Sequence, residues 1–179
     1  LALVEAGFRV VGLTMKNYCH GDSFDAAPER SCCSLSAIDD ARAACQRLGI
    51  RHMVVGTEEL FGREVYDNFL DEYRAGRTPN PCVRCNSIVR FVTLAAWADR
   101  MGFDYLATGH YARVFQSEEG TCYLARSSNA TKDQSYFLSA LPRGVLPRVM
   151  FPLGDRDKAE GRARAGGAGL SVAEKPDSQ

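Results

Sequence analysis

Phe8–Met15 reads FRVVGLTM, a nearly continuous apolar run rich in valine. A run of this length without polar alternation suits a strand buried on both faces, the kind found in parallel sheets covered by helices. Before it, Leu1, Leu3, Val4 and Ala6 read as the last turns of an apolar helix, with Gly7 as its stop. After it, residues 17–33 break the pattern with Gly21, Asp22, Ser23 and Pro28, so a loop or insertion is expected. A helix then starts at Ser36, with Ile38, Ala41, Cys45 and Leu48 on one face and Gly49 as its end. His52–Val55 is a second buried-strand candidate, and Glu58–Tyr73 a second helix with Leu60, Phe61, Val65, Phe69 and Leu70 on its apolar side. Beyond a loop with two prolines, Ile88, Phe91, Val92, Ala95 and Ala98 recur at helical spacing up to Gly102, and Tyr105–Thr108 is a third strand. Strands alternating with helices predict an α/β fold of the doubly wound, parallel-sheet class. A β-hairpin is expected from Ala112–Phe115 and Thr121–Ala125, and a weak, glycine-bearing helix near Lys158–Ala165.

With 179 residues and 45% hydrophobic content, the chain has the size of one ordinary domain. Its 22 basic and 22 acidic residues give no bulk basic field for nucleic acid. The first 70 residues carry 7 basic and 10 acidic side chains and the remainder 15 and 12, so any polyanion contact is sought in the second half. Seven cysteines, an odd number without a secretory signal, indicate a reducing cytoplasm rather than a disulfide scaffold. No apolar run is long enough to span a membrane.

The sharpest local chemistry lies in Arg77–Asn86, RTPNPCVRCN, where two prolines hold the backbone extended and a CxxC pair precedes the expected helix. A cysteine beside a helix start is expected to ionise readily, because free N–H groups and the helix dipole favour the thiolate, and Cys85 is placed for this. The same pair also reads as half of a zinc site or a redox dithiol. Zinc needs two further ligands, and Cys32, Cys33, His20 and His110 show no second metal-ligand spacing. The adjacent Cys32 and Cys33 read as filler in a polar loop, and Cys19, Cys45 and Cys122 as structural. Thr108, Gly109 and His110 follow a strand at its carboxyl end, where open α/β sheets bind ligands and a glycine admits a close approach to the backbone; a plain turn is the alternative. His52 reads as a structural histidine. Lys132, Asp133 and Gln134 form a polar cluster ahead of Tyr136, Phe137 and Leu138, suited to a helix cap or to a contact surface.

Taken together, GLTMKNY at Gly12–Tyr18, EYRAGRTPNPCVRCN at Glu72–Asn86, ATGHYARV at Ala107–Val114, KDQSYFL at Lys132–Leu138, FPLG at Phe151–Gly154 and EKPDSQ at Glu174–Gln179 closely resemble the bacterial tRNA-specific 2-thiouridylase family, MnmA/TrmU. The resemblance implies the PP-loop, adenine nucleotide alpha hydrolase-like fold, with residues 1–179 as part of an N-terminal nucleotide-binding and catalytic domain. Within it, 1–111 would be the α/β core and 112–179 the hairpin and tRNA-contacting end. It implies an enzyme that uses ATP with Mg2+ to adenylate the C2 oxygen of a wobble uridine in tRNA, then replaces that oxygen with sulfur from a protein persulfide supplied by a sulfur-carrier protein. Carried over by position, Cys85 matches the catalytic cysteine that works with the persulfide cysteine and can form a disulfide with it. Asn80, Pro81 and Cys82 match the segment touching the target base, Met15 and Gly109 match ATP contacts, and His110 with Lys132, Asp133 and Gln134 match tRNA contacts. Many relatives have Asp where Cys82 stands, and a CxxC there leaves an iron–sulfur cluster open as a further cofactor. The family's SGGVDS phosphate loop would lie just before Leu1 and its persulfide cysteine shortly after DSQ, so the sheet is expected to lack its first strand and the isolated stretch to be inactive and poorly folding. The competing readings are a non-catalytic zinc- or iron–sulfur-binding RNA module and another PP-loop amidating or ligating enzyme.

Overall fold

The computed structural model describes residues 1–17 and 35–170, with Leu35 described by its backbone alone. In chain order the elements are α1 (Ala2–Glu5), β1 (Val11–Lys16), α2 (Leu35–Arg47), β2 (Arg51–Gly56), and a helical run made of α3 (Glu58–Phe61), a π-helical stretch (Gly62–Asp67) and α4 (Asn68–Arg74). A second helical run follows: α5 (Pro81–Arg84), another π-helical stretch (Cys85–Arg90) and α6 (Phe91–Met101). Then come β3 (Leu106–Ala107), β4 (Ala112–Gln116), β5 (Cys122–Arg126), 3-10 turns at Ser135–Leu138 and Leu146–Arg148, β6 (Val149–Met150) and α7 (Lys158–Gly167). This is an α/β fold with parallel strands and helices, as the alternation in the sequence predicts.

Two compact units divide the chain, Leu1–Glu59 with Lys158–Gln179, and Leu60–Asp157. They cross the division at residue 111 read from the sequence, which sorts the chain by motif rather than by compactness.

In the first unit β1 and β2 pair in parallel, from Val11 opposite Arg51 to Lys16 opposite Gly56. The helix α2 packs on this pair through Ile38 and Cys45, both buried. Gly12 makes that approach feasible: a Cβ there would collide with the Cys45 sulfur. Cys45 is thus packing material, as its position on the helix face implies, and burial pushes its thiol pKa up. The expectation of strands buried on both faces is corrected here. Every residue of β1 is only half-buried and Val54 of β2 is 42% exposed, because among the described residues β2 is the sole strand paired with β1.

In the second unit β3 pairs in parallel with β6, Leu106 opposite Val149 and Ala107 opposite Met150, while β4 and β5 form the expected antiparallel hairpin with Phe115 opposite Tyr123. Its core gathers Phe91, Ala98, Leu106, Ala112, Leu138, Leu141, Leu146 and Val149. Phe91 and Leu138 are essentially sealed from solvent. The second helical run begins at Pro81 rather than at Ile88. Proline is tolerated at the first helical position because its missing N–H would have no partner there anyway. The strand β6 went unread in the sequence, being too short to show a period.

Candidate functional site

The RTPNPCVRCN stretch is built around Asn80. Its backbone is extended (φ −114°, ψ 94°), and its side-chain oxygen accepts the Val83 N–H at 3.1 Å, which makes it the N-cap of α5 with Pro81 next in line. The preceding turn is tied back by Arg77, whose guanidinium forks onto the Glu72 carboxylate, one arm at 2.9 Å. That contact holds the Glu72 carboxyl below the usual range. Arg84 reaches the Glu64 carbonyl and, at 3.3 Å, its carboxylate, fastening the two helical runs to each other.

Cys82 is exposed and Cys85 half-buried, and neither is in a disulfide. Here the structure corrects the sequence argument for an activated Cys85. The helix starts at Pro81, so Cys85 lies in the second turn, with its own N–H already directed to the Pro81 and Cys82 carbonyls. The N–H groups that a helix leaves without intrahelical partners belong to the residues before it. Proximity to the helix start therefore does not account for a thiolate at Cys85.

Asn86 is the functional-looking residue that sequence reasoning passed over. It is 4% exposed, donates from Nδ2 to the Phe137 carbonyl at 3.1 Å and accepts from Arg90 at 3.0 Å. This one side chain joins the RTPNPCVRCN helix to the KDQSYFL segment. A polar residue one step from the catalytic candidate, on the inward face shared with Val89, was the available signal. Between the same two segments runs an open cleft of about 410 Å³ lined by Asn68, Glu72, Asn80, Arg84, Ser87 and Tyr136 among others, and neither cysteine lines it.

At the carboxyl end of β3, Gly109 is exposed, and a Cβ there would meet nothing closer than Leu153 at 3.7 Å. The chain's own packing does not demand glycine at this position. His110 lies against Phe91 and Phe151 at centroid distances of 6.2 and 6.1 Å, and its Nδ1 shares a 2.7 Å hydrogen bond with the Thr108 hydroxyl. Burial, helped by the positive charge of Arg90, lowers its pKa to about 4, so the ring is neutral at neutral pH. Of the KDQ cluster, Lys132 is exposed, whereas Asp133 and Gln134 are half-buried and bonded within the chain. Gly154 of the FPLG motif abuts the Ala112 carbonyl so closely that a Cβ would clash, and its own carbonyl accepts the Ser127 hydroxyl at 2.9 Å.

In the other unit, Met15 sits one residue before the end of β1, opposite Val55. The strand ends there are finished by buried polar groups: the Thr57 hydroxyl lies 2.7 Å from Asn17 Oδ1 and 3.1 Å from the Lys16 carbonyl, and Lys16 pairs with Glu58 at 3.0 Å. His52 is bonded to Thr14 at 2.9 Å, the satisfied structural histidine expected of it.

Among the described residues no three or more His, Cys, Asp or Glu side chains come together to hold a metal. The CxxC pair thus has no third ligand among the described residues. Cys19, His20, Cys32, Cys33 and the EKPDSQ motif lie outside the described residues. No helix among the described residues is long and apolar enough to cross a membrane.

The family model described as tRNA methyl transferase HUP domain matches residues 1–179. The tRNA-specific 2-thiouridylase MnmA of Geobacter metallireducens is 47% identical over 184 residues, covering 99% of this chain and 49% of that protein. The protein of the same name from Pelotomaculum thermopropionicum is 43% identical, with 99% of this chain and 49% of the relative covered, and that from Acidithiobacillus ferrooxidans is 45% identical, with 100% and 48% covered. The chain thus spans about half the length of the curated relatives it matches. From the match along its whole length, this chain belongs to the tRNA methyl transferase HUP domain family, alongside proteins named tRNA-specific 2-thiouridylase.

Proposed function

We propose that this chain is the nucleotide-binding and catalytic part of a cytoplasmic, ATP-dependent tRNA uridine 2-sulfurtransferase. The observation that carries the reading is the identity of 43–47% over nearly the whole chain with relatives named tRNA-specific 2-thiouridylase. The chemical need is that the C2 oxygen of uridine is a poor leaving group. Attack of that oxygen on the α-phosphorus of ATP expels pyrophosphate and leaves an AMP ester on C2. The terminal sulfur of a protein persulfide, charged by a sulfur-carrier protein, then bonds to C2, and AMP departs with the original oxygen. Cys85 as thiolate attacks the inner sulfur of the resulting Cys–S–S–C2 link, forming a disulfide with the donor cysteine and releasing 2-thiouridine. A thiol reductant afterwards restores both cysteines.

In this reading Asn80, Pro81 and Cys82 match the segment that touches the target base, Met15 and Gly109 each match a position that contacts ATP, and His110 with Lys132, Asp133 and Gln134 match tRNA contacts. Mg2+ would enter with the ATP phosphates, whose charge it neutralises. An exposed cysteine at 82 brings a second thiol beside the base, where a carboxylate would bring charge. Substituting Cys85→Ser in the complete protein is expected to abolish tRNA thiolation while ATP binding survives. Thiolation that persists in this variant would remove Cys85 from the reaction.

A further inference from the structure

Arg90 closes the π-helical stretch that begins at Cys85, and it is half-buried. Its Nη1 donates to Asn86 Oδ1 at 3.0 Å, and Asn86, 4% exposed, is itself held by the bond from its Nδ2 to the Phe137 carbonyl at 3.1 Å. Among the described residues no carboxylate pairs with this guanidinium, whereas Arg84, in the same helical run, is paired with Glu64. The Asn86 oxygen is neutral and takes one N–H of a group that carries several, so the charge of Arg90 stays uncompensated. That charge acts on the His110 ring and helps to keep it neutral, and Phe91, the next residue, packs against the same ring at a centroid distance of 6.2 Å. Arg90 therefore stands beside the Thr108–His110 turn at the carboxyl end of β3. Gly109 on that turn is exposed, and a Cβ there would meet nothing closer than Leu153 at 3.7 Å, so open space adjoins it.

We propose that Arg90 is a phosphate-contact residue: Asn86 orients its guanidinium, and its remaining N–H donors meet a phosphate group beside the Thr108–His110 turn. This rests on the reading that Gly109 and His110 match positions that contact ATP and tRNA; phosphate is the chemistry the two ligands share. The carboxyl end of a parallel strand is where open α/β sheets take their ligands. A guanidinium suits a phosphate there, because its planar fork of N–H groups matches two oxygens at once and it stays charged at any working pH. An arginine already paired to a carboxylate would have to give up that partner for the anion, and Arg90 has none to give up. The neutral His110 ring adds no positive charge beside the turn, whereas Arg90 does.

The test uses the complete protein with Arg90→Gln, which removes the charge, and Arg90→Lys, which keeps it without the fork. Binding of ATP, of adenosine and of tRNA is measured, the last across a range of salt concentrations. Where the phosphate is that of ATP, Arg90→Gln is expected to weaken ATP about tenfold and to leave adenosine and the salt dependence of tRNA binding as in the parent. Where it belongs to the tRNA backbone, Arg90→Gln is expected to lower the slope of log affinity against log salt by about one, with ATP affinity unchanged. In either case Arg90→Lys is expected to lose less than Arg90→Gln. Parental ATP affinity together with a parental salt slope in Arg90→Gln overturns the proposal. Equal weakening of ATP and adenosine with a parental slope overturns it too, because a purely structural role acts without regard to phosphate. Should Arg90→Gln fail to fold, the arginine Nε–H signals of the parent decide. That of Arg90, assigned by its disappearance in Arg90→Lys, is expected to move when ATP or tRNA is added, and a signal unmoved by both overturns the proposal. A parent that binds ATP and tRNA but does not thiolate defeats the functional reading, and these affinities still decide the role of Arg90.

Discussion

His110 shows how a single residue couples the second unit to pH. Its imidazole, packed between Phe91 and Phe151, has its pKa lowered to about 4 by burial first and by Arg90 second. In the unfolded chain an ordinary histidine takes up its proton near pH 6.5, while the folded protein resists protonation until near pH 4. Protons therefore favour the unfolded state between those values. The contribution of this residue to stability is whole above pH 6.5 and is lost as pH falls toward 4. Its full size follows from the displacement of the pKa and amounts to about 3 kcal/mol at most, reduced by whatever solvent still reaches the ring. His110→Asn keeps a polar partner for Thr108 but cannot titrate. Denaturant midpoints measured from pH 7 to pH 4 are expected to fall more steeply in the parent than in this variant. Parallel curves would show that the ring does not sit in the buried, neutral state described.

At the scale of the element, the helical run beginning at Pro81 is defined by one cap. Replacing Asn80 by alanine removes the oxygen that holds the Val83 N–H and is expected to cost about 1 kcal/mol, whereas aspartate retains that oxygen and suits the positive end of the helix. Thermal unfolding and thiolation of Asn80→Asp in the complete protein separate two roles. Parental stability with lost activity assigns Asn80 to the substrate as well as to the cap, and parental values of both leave it as a cap alone. This element also shows what sequence can reveal. Its apolar face, Phe91 to Ala98, was legible from spacing, as were α2, both strands of the first unit and the β4–β5 hairpin. The start was not, because Pro79 and Pro81 both read as loop breakers and only the structure shows the second occupying the one helical position where proline fits. The π-helical stretches broaden the turn and blur a 3.6-residue period just where Cys85 and Asn86 lie. Among the candidate site residues, Cys82, Cys85 and Gly109 could be singled out by residue type. The hydrogen-bond partners of Asn86 and Gln134 lie 51 and 23 positions away, and no local pattern encodes those.

Across the whole molecule the apolar interior is unevenly shared. The second unit encloses a contiguous cluster running from Phe91 to Val149, with Phe91, Val89 and Leu138 almost wholly removed from water. In the first unit the buried apolar side chains among the described residues are Ile38 and Cys45, and its two strands stay half-exposed. Burial of apolar area is the main favourable term in folding, and local opening follows where it is scarce. Amide exchange across residues 1–179 is therefore expected to be graded. The N–H groups within α6, whose helix carries Phe91 and Ala98 into the cluster, should exchange only through the largest opening of the second unit. Those of β1 and β2, closed by a single parallel ladder from Val11 to Gly56, should exchange orders of magnitude faster at the same pH. Equal protection of the β1–β2 pair and α6 would mean that the strands open only together with the larger core, and that the hydrophobic cluster alone does not set the order in which this chain comes apart.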